Sequence, residues 1–238
     1  MHTFELLPWI AEKLSLPFKI DHSNVHIATS LLIAFFLIIS SLLVYRKLRH
    51  TDQLVIPSNK LSISTIYEIT VGALLHMMEN IMGQRAIKYF PLIGSLFVYI
   101  LICNLIGIIP GMVPPTSNIN TNLGCAICVF VYYNYVGIRE LGFIKYLQHL
   151  AGPVIWLAPL MLTIEIISHI VRPISLSVRL FGNMVGDHLV VEIFSGLIPL
   201  FVPIFFLLLA IFVAFIQAFV FSLLSCVYIA LATEPGEH

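Results

Sequence analysis

Four long stretches of the chain, residues 22–45, 89–138, 146–164 and 193–233, contain no Lys, Arg, Asp or Glu. Charge-free runs of this length restrict a fold severely. A bilayer hydrocarbon core about 30 Å thick is crossed by about 20 apolar residues of helix. The first run holds one such crossing, and the second holds two, divided at Pro114-Pro115. In lipid every backbone polar group needs a partner within the protein, so spans are helices or closed barrels. Short alternating runs of barrel type are missing, which leaves helices. Composition agrees: 59% of residues are hydrophobic and only 10% are charged, against roughly 25% charged in a soluble domain. Too little charge is available to cover a water-facing surface. Twelve basic residues balance twelve acidic ones, so nothing attracts a nucleic acid. A disordered chain, a secreted disulfide scaffold and an ordinary soluble enzyme are excluded. The expected fold is an all-α integral membrane protein of about five to six helices.

The order of segments follows. Residues 1–26 form an N-terminal segment with a short surface helix around residues 6–14 and no cleavable-signal pattern. Residues 27–45 form span 1, and 46–88 a segment with an interfacial helix over 62–83. Spans 2 and 3 occupy 89–110 and 121–137. A long polar-lined helix covers 159–195, and the last helix covers 197–232. All belong to one membrane domain. Six Lys or Arg lie between Arg46 and Lys88, against two before the first span. The positive-inside rule then puts residues 46–88 and the C-terminus in the cytoplasm and the N-terminus outside. As one helix, residues 159–193 would extend roughly 50 Å at 1.5 Å per residue. Such a helix must tilt, kink or lie partly flat, and Pro173 is the natural kink point.

That long helix carries Glu165, His169, Arg172, Arg179, Asp187, His188 and Glu192 in an otherwise apolar segment. A charge at bilayer depth costs at least ~2.5–3.5 kcal/mol, so these groups must face water, each other or a partner. Glu165, His169, Arg172, Leu176, Arg179 and Asn183 are three or four apart and share one face. Gly182 and Gly186 form a GxxxG, with Ser175 and Ser177 nearby, and small residues let another helix approach closely. Two plainer readings stay open. Arg172 snorkels to the interface, or Glu165 and His169 are only a structural couple. Arg179 resists them, having no acidic residue within one turn. Cys103, Cys125, Cys128 and Cys226 all lie in apolar stretches. Packed or lipid-facing thiols suit them better than a redox or zinc role, which would need polar supporting groups.

Residues 173–184, Pro-Ile-Ser-Leu-Ser-Val-Arg-Leu-Phe-Gly-Asn-Met, resemble the signature of the subunit a family of F-type ATP synthases. Gln217-Ala-Phe-Val-Phe221 resembles that family's second motif. Asn104-Leu-Ile-Gly-Ile-Ile-Pro110 and Pro114-Pro-Thr-Ser-Asn118 resemble its second-span end and outer turn. The matches fall in order over about residues 90–230. The resemblance implies a non-catalytic stator subunit that passes protons through two half-channels to a rotating c-subunit ring, each ring subunit bearing one buried carboxyl. It implies a b-subunit peripheral stalk, a soluble ATPase head and surrounding lipid as partners, with no cofactor and no metal. It also implies a long helix hairpin over about 159–232 facing the ring. By the resemblance Arg179 separates the half-channels, and Gln217 and Asn183 bond near it. Glu165, His169, Asp187, His188 and Glu192 relay protons, while Ser175, Gly182 and Gly186 pack against the rotor.

One departure stands out. Relatives commonly carry a carboxyl or histidine seven residues before the glutamine, where this chain has Ala210. His188, Glu192 and Asp187 are therefore the expected outer relay. Protons are the default ion, and the membrane is a bacterial plasma membrane or, alternatively, an organelle inner membrane. Among other classes, a stand-alone secondary transporter is opposed by the small size and the lack of an inverted repeat. A membrane hydrolase is opposed by the lack of HExxH and GxSxG motifs.

Overall fold

A computed structural model of the chain describes residues 25–49, 63–109, 112–146, 158–195 and 201–233. The surface helix expected at residues 6–14 and the polar end after Thr233 lie outside them. Six α-helices carry the described residues: α1 (Val25–Arg49), α2 (Ile63–Met82), α3 (Ala86–Ile106), α4 (Ile119–Leu141), α5 (Ala158–Ser195) and α6 (Phe201–Thr233). Five stretches are long and apolar enough to cross a membrane: Val25–Arg46, Tyr67–Ile106, Ile119–Leu141, Pro159–Val191 and Ile204–Thr233. Large apolar side chains point outward along them, with Leu31 65% and Phe35 66% exposed. A surface of that kind suits lipid and not water. The chain is an all-α integral membrane protein.

The chain divides into two compact units at Pro115 and Thr116. In the first, α1 packs on α3, where Ser30 and Tyr99 hydroxyls bond at 2.6 Å. Helix α2 packs on α3 after a 3₁₀ turn, Gly83–Arg85, that opens on Gly83 at φ +61°. That conformation is strained for a residue with a Cβ, and it breaks what would otherwise be one 40-residue apolar stretch. Leu74 and Met78 of α2 are buried, whereas Glu68, His76, Glu79 and Asn80 are exposed. The helix is therefore two-faced.

In the second unit, α4, α5 and α6 all pack on one another. Asn118 caps α4, its side-chain oxygen accepting from the Asn120 backbone N–H at 2.9 Å. Gly142, at φ +80°, ends the helix, its N–H donating to the Ile138 carbonyl at 2.9 Å. Buried positions recur every three or four residues: Val129, Tyr133 and Val136 on α4; Leu176, Leu180 and Met184 on α5; Ala214, Ala218, Phe221, Ser225 and Ile229 on α6. Hydroxyls that would be orphaned in lipid bond back along their own helices. Ser177 donates to the Pro173 carbonyl at 2.7 Å, Ser225 to Phe221 at 2.8 Å and Thr233 to Ile229 at 2.9 Å. Helix α5 is continuous over 38 residues and passes through Pro173. At 1.5 Å per residue it extends about 57 Å.

Among the described glycines, Gly137 is the one where the backbone of another helix comes close. A Cβ there would lie 3.0 Å from the Ala232 carbonyl oxygen of α6 and 2.6 Å from the Tyr146 ring. Gly137→Ala is expected to destabilise the three-helix unit by about 1–3 kcal/mol, the usual cost of overpacking. Thermal unfolding of the purified protein in detergent measures this, and an unchanged midpoint would contradict the close packing.

Candidate functional site

Helix α5 has two unlike faces. Leu176, Ser177, Leu180 and Met184 are buried against α4 and α6, whereas Ser175, Arg179, Gly182 and Asn183 are exposed. Among the described residues no hydrogen bond or ion pair holds the Arg179 guanidinium. A Cβ built on Gly182 or on Gly186 would meet nothing within 4 Å. Among the described residues the small-residue face therefore packs against nothing. Arg179 stands at the centre of an open strip that a second molecule is free to approach.

Beside the strip, the Asn183 side-chain amide donates to the Gln217 side-chain oxygen at 2.6 Å. Gln217 itself is 5% exposed, so α6 supplies a buried acceptor one helical turn from the arginine. This bond ties α5 to α6 at the level of Arg179. The sequence placed both amides near the arginine; here they satisfy each other.

A second polar cluster lies toward the N-terminal end of α5. Arg172 donates to Glu165 at 3.0 Å, and the His169 Nε2 lies 3.4 Å from the same carboxylate oxygen. The other imidazole nitrogen, Nδ1, is 2.8 Å from the Tyr133 hydroxyl of α4. On its remaining side the Arg172 guanidinium stands over the Tyr228 ring of α6, 5.2 Å from its centroid. All three helices thus contribute to one ionic site. Nearby, the Tyr146 hydroxyl donates to the Asn134 side chain at 2.8 Å. Burial first, and then Tyr133 and Glu165, push the Tyr146 phenol up to about 12 against the pull of Arg172. It is a neutral donor at any physiological pH.

Of the plainer readings left open, Glu165 and His169 are partnered, but as part of a larger group. Arg172 is held by an ion pair and an aromatic face. Toward the other end of α5, Asp187 is half-buried and His188 is exposed, while the side chain of Glu192 lies outside the described residues. Ala210 of α6 is half-buried and offers neither donor nor acceptor. Tyr133 and Tyr228 were not singled out in the sequence. Their spacing on α4 and α6 is that of core aromatics, and only helix packing reveals their polar roles.

A set of long apolar helices, with Arg179 unpaired among the described residues on an open face and backed by an amide pair and an ionic cluster, defines an integral membrane protein. Residues 27–230 match the ATP synthase A chain family. A protein of Sorangium cellulosum called ATP synthase subunit a is 47% identical over 210 residues, covering 88% of this chain and 82% of that relative. ATP synthase subunit a of Geobacter sulfurreducens is 51% identical over 169 residues, covering 71% and 73%. ATP synthase subunit a 1 of Syntrophotalea carbinolica is 43% identical over 240 residues and covers 99% of both chains. The chain belongs to the ATP synthase A chain family.

The Arg172–Glu165 pair is expected to be energetically coupled. Arg172→Met alone leaves a carboxylate without its cation, which is costly away from water. Arg172→Met with Glu165→Gln removes both charges. The double variant should be more stable than the sum of the single changes by at least about 1 kcal/mol. Additive unfolding midpoints across the four proteins would show that the pair contributes nothing.

Proposed function

We propose that the chain is the proton-translocating stator subunit a of an F-type ATP synthase, itself non-catalytic, working against a ring of c subunits in a complex with a b-subunit stalk and a soluble ATPase head. Family membership supports this reading, and so does the relatives' shared name. The observation that carries it is the exposed, unpaired Arg179 on the small-residue face of α5. A guanidinium keeps its proton at any physiological pH, so Arg179 cannot pass one on. It can hold an approaching carboxylate in its ionised form by opposite-charge attraction. Ser175, Gly182 and Gly186 leave room for the ring helix that brings that carboxyl. Asn183 and Gln217 brace the two helices beside the arginine.

On this reading each ring carboxyl loses its proton to one aqueous half-channel, passes Arg179 as the anion, and is reprotonated from the other. Glu165 and His169 serve the half-channel toward the N-terminal end of α5. Asp187, His188 and Glu192 serve the opposite one, in place of a titratable group at position 210. The two-faced helix α2 lies at the membrane interface, and the whole chain acts as one membrane domain. The protein sits in a bacterial plasma membrane with its N-terminus outside and its C-terminus in the cytoplasm. No observation favours a stand-alone transporter.

Arg179→Ala should leave the complex assembled and abolish proton-driven ATP synthesis in sealed vesicles. Normal synthesis by the assembled variant would overturn the reading.

Orientation has a separate check. In a background without the four native cysteines, Gln84→Cys should react with a membrane-impermeant thiol reagent only from the cytoplasmic side. Asn120→Cys should react only from the outside. The opposite pattern would invert the orientation.

A further inference from the structure

The polar cluster on α5 contains a bond that the family signature does not involve. Tyr133 of α4 meets His169 at Nδ1, and the bond is 2.8 Å long. The opposite ring nitrogen faces Glu165 at 3.4 Å, and Glu165 is also held by Arg172 at 3.0 Å. These contacts assign roles. Arg172 donates to the same Glu165 oxygen that Nε2 of His169 faces, so that oxygen already has two neighbours. The imidazole between Tyr133 and Glu165 keeps one nitrogen with a lone pair, the side-chain group best suited to taking up and releasing a proton near neutral pH. With its proton on Nε2 directed at Glu165, the Nδ1 lone pair is the open basic site, and the Tyr133 hydroxyl donates to it.

We infer that His169 is the group that binds and releases the proton in this half-channel, and that Tyr133 is its positioning residue, serving both protonation states through Nδ1. The inference deepens the proposed function and rests on it. When the ring is neutral, Tyr133 donates its hydroxyl proton to Nδ1. When a proton adds to Nδ1, the hydroxyl turns and accepts from the new N–H, while Nε2–H still points at Glu165. The incoming proton comes from a hydronium ion of the half-channel: its O–H bond breaks as N–H forms at the Nδ1 lone pair freed by the turning hydroxyl, water is left behind, and the reverse step returns the proton to water. The charged groups facing His169 are Glu165 and Arg172 on its own helix. From α4 it meets only the Tyr133 hydroxyl as a titratable partner, with the Phe130 ring 6.4 Å away. From α6 the nearest titratable group is Tyr228, whose ring lies 6.0 Å from that of Tyr133 and carries Arg172 on its face.

Tyr133→Phe removes one oxygen and keeps the ring in its packed place. The imidazolium then loses an acceptor for a charge-assisted bond, while the neutral ring loses an ordinary one. Charge-assisted bonds are about twice as strong, so protonation becomes harder. In sealed vesicles holding the intact complex, the dependence of proton flux on cytoplasmic pH should shift toward acid by roughly half a unit to one unit. His169→Gln keeps a hydrogen-bonding side chain beside Tyr133 but cannot carry a proton; its flux should fall at least about tenfold. In the His169→Gln background, Tyr133→Phe should cause no further shift. An unshifted profile in Tyr133→Phe would overturn the positioning role, and full flux in His169→Gln would overturn the proton-carrying role. If Tyr133→Phe does not assemble, the His169→Gln result alone decides. Arg179→Ala measured alongside separates the two levels: proton-driven ATP synthesis surviving there defeats the functional reading, whereas synthesis lost there with normal flux in His169→Gln defeats only this inference.

Discussion

An arginine that cannot lose its proton must be answered by a negative charge, by water or by the interface. Arg179 has no anion among the described residues, and the rest of the three-helix unit follows from leaving it so. Its face of α5 carries serine and glycine on either side, which keeps the approach open. Its rear is closed by Leu176, Leu180 and Met184 packed on the neighbouring helices. Asn183 and Gln217 bond to each other, so neither amide competes for the guanidinium. The charge is held in place but not neutralised, which is the state that favours an anion arriving from another molecule.

Arg172 is the opposite case seven residues earlier. Glu165 neutralises it and Tyr228 covers it. Two arginines on one helix thus meet opposite fates, decided by what α4 and α6 bring beside each. Treating them as equivalent because both sit in an apolar segment would misjudge both. Arg172 contributes to the ionic site that ties three helices together, and its removal leaves a carboxylate unanswered. Arg179 has no such ion pair or ring contact among the described residues, and on the proposed function its charge is answered by a partner.

Much of this was legible in the sequence. Charge-free runs located the apolar helices, and the steps of three and four put Glu165, His169, Arg172, Arg179 and Asn183 on related turns of α5. Pro173 stood out in the sequence as the natural kink point, and α5 runs through it as one helix. Less legible was anything that depends on which helix lies beside which. The Arg172–Glu165 bond spans seven residues, about two turns, beyond the three- and four-residue pairs that a helix pattern suggests. Tyr133 reads as a core aromatic until α4 is laid against α5. The glycines taught the same lesson. GxxxG at Gly182 and Gly186 drew attention as a close-packing motif, yet the close approach within the chain is at Gly137, which belongs to no such motif.

The position of the ionic cluster relative to Arg179 gives the helix its direction of use. From Arg172 to Arg179 is seven residues, about 10 Å along α5, and from Arg179 to Asp187 about 12 Å. Titratable groups therefore stand on both sides of the fixed charge and none stands within a turn of it. A proton on His169 has no ionisable neighbour by which to pass the arginine along α5. Nor does one on Asp187 or His188, because the polar groups between them and His169 are Arg172, Ser175, Ser177, Arg179 and Asn183, which either do not titrate or do not release their proton. On the proposed function, passage from one side to the other then needs a carrier that moves across the open face. The gap in the polar stripe around Arg179 is as necessary to such a device as the charge itself.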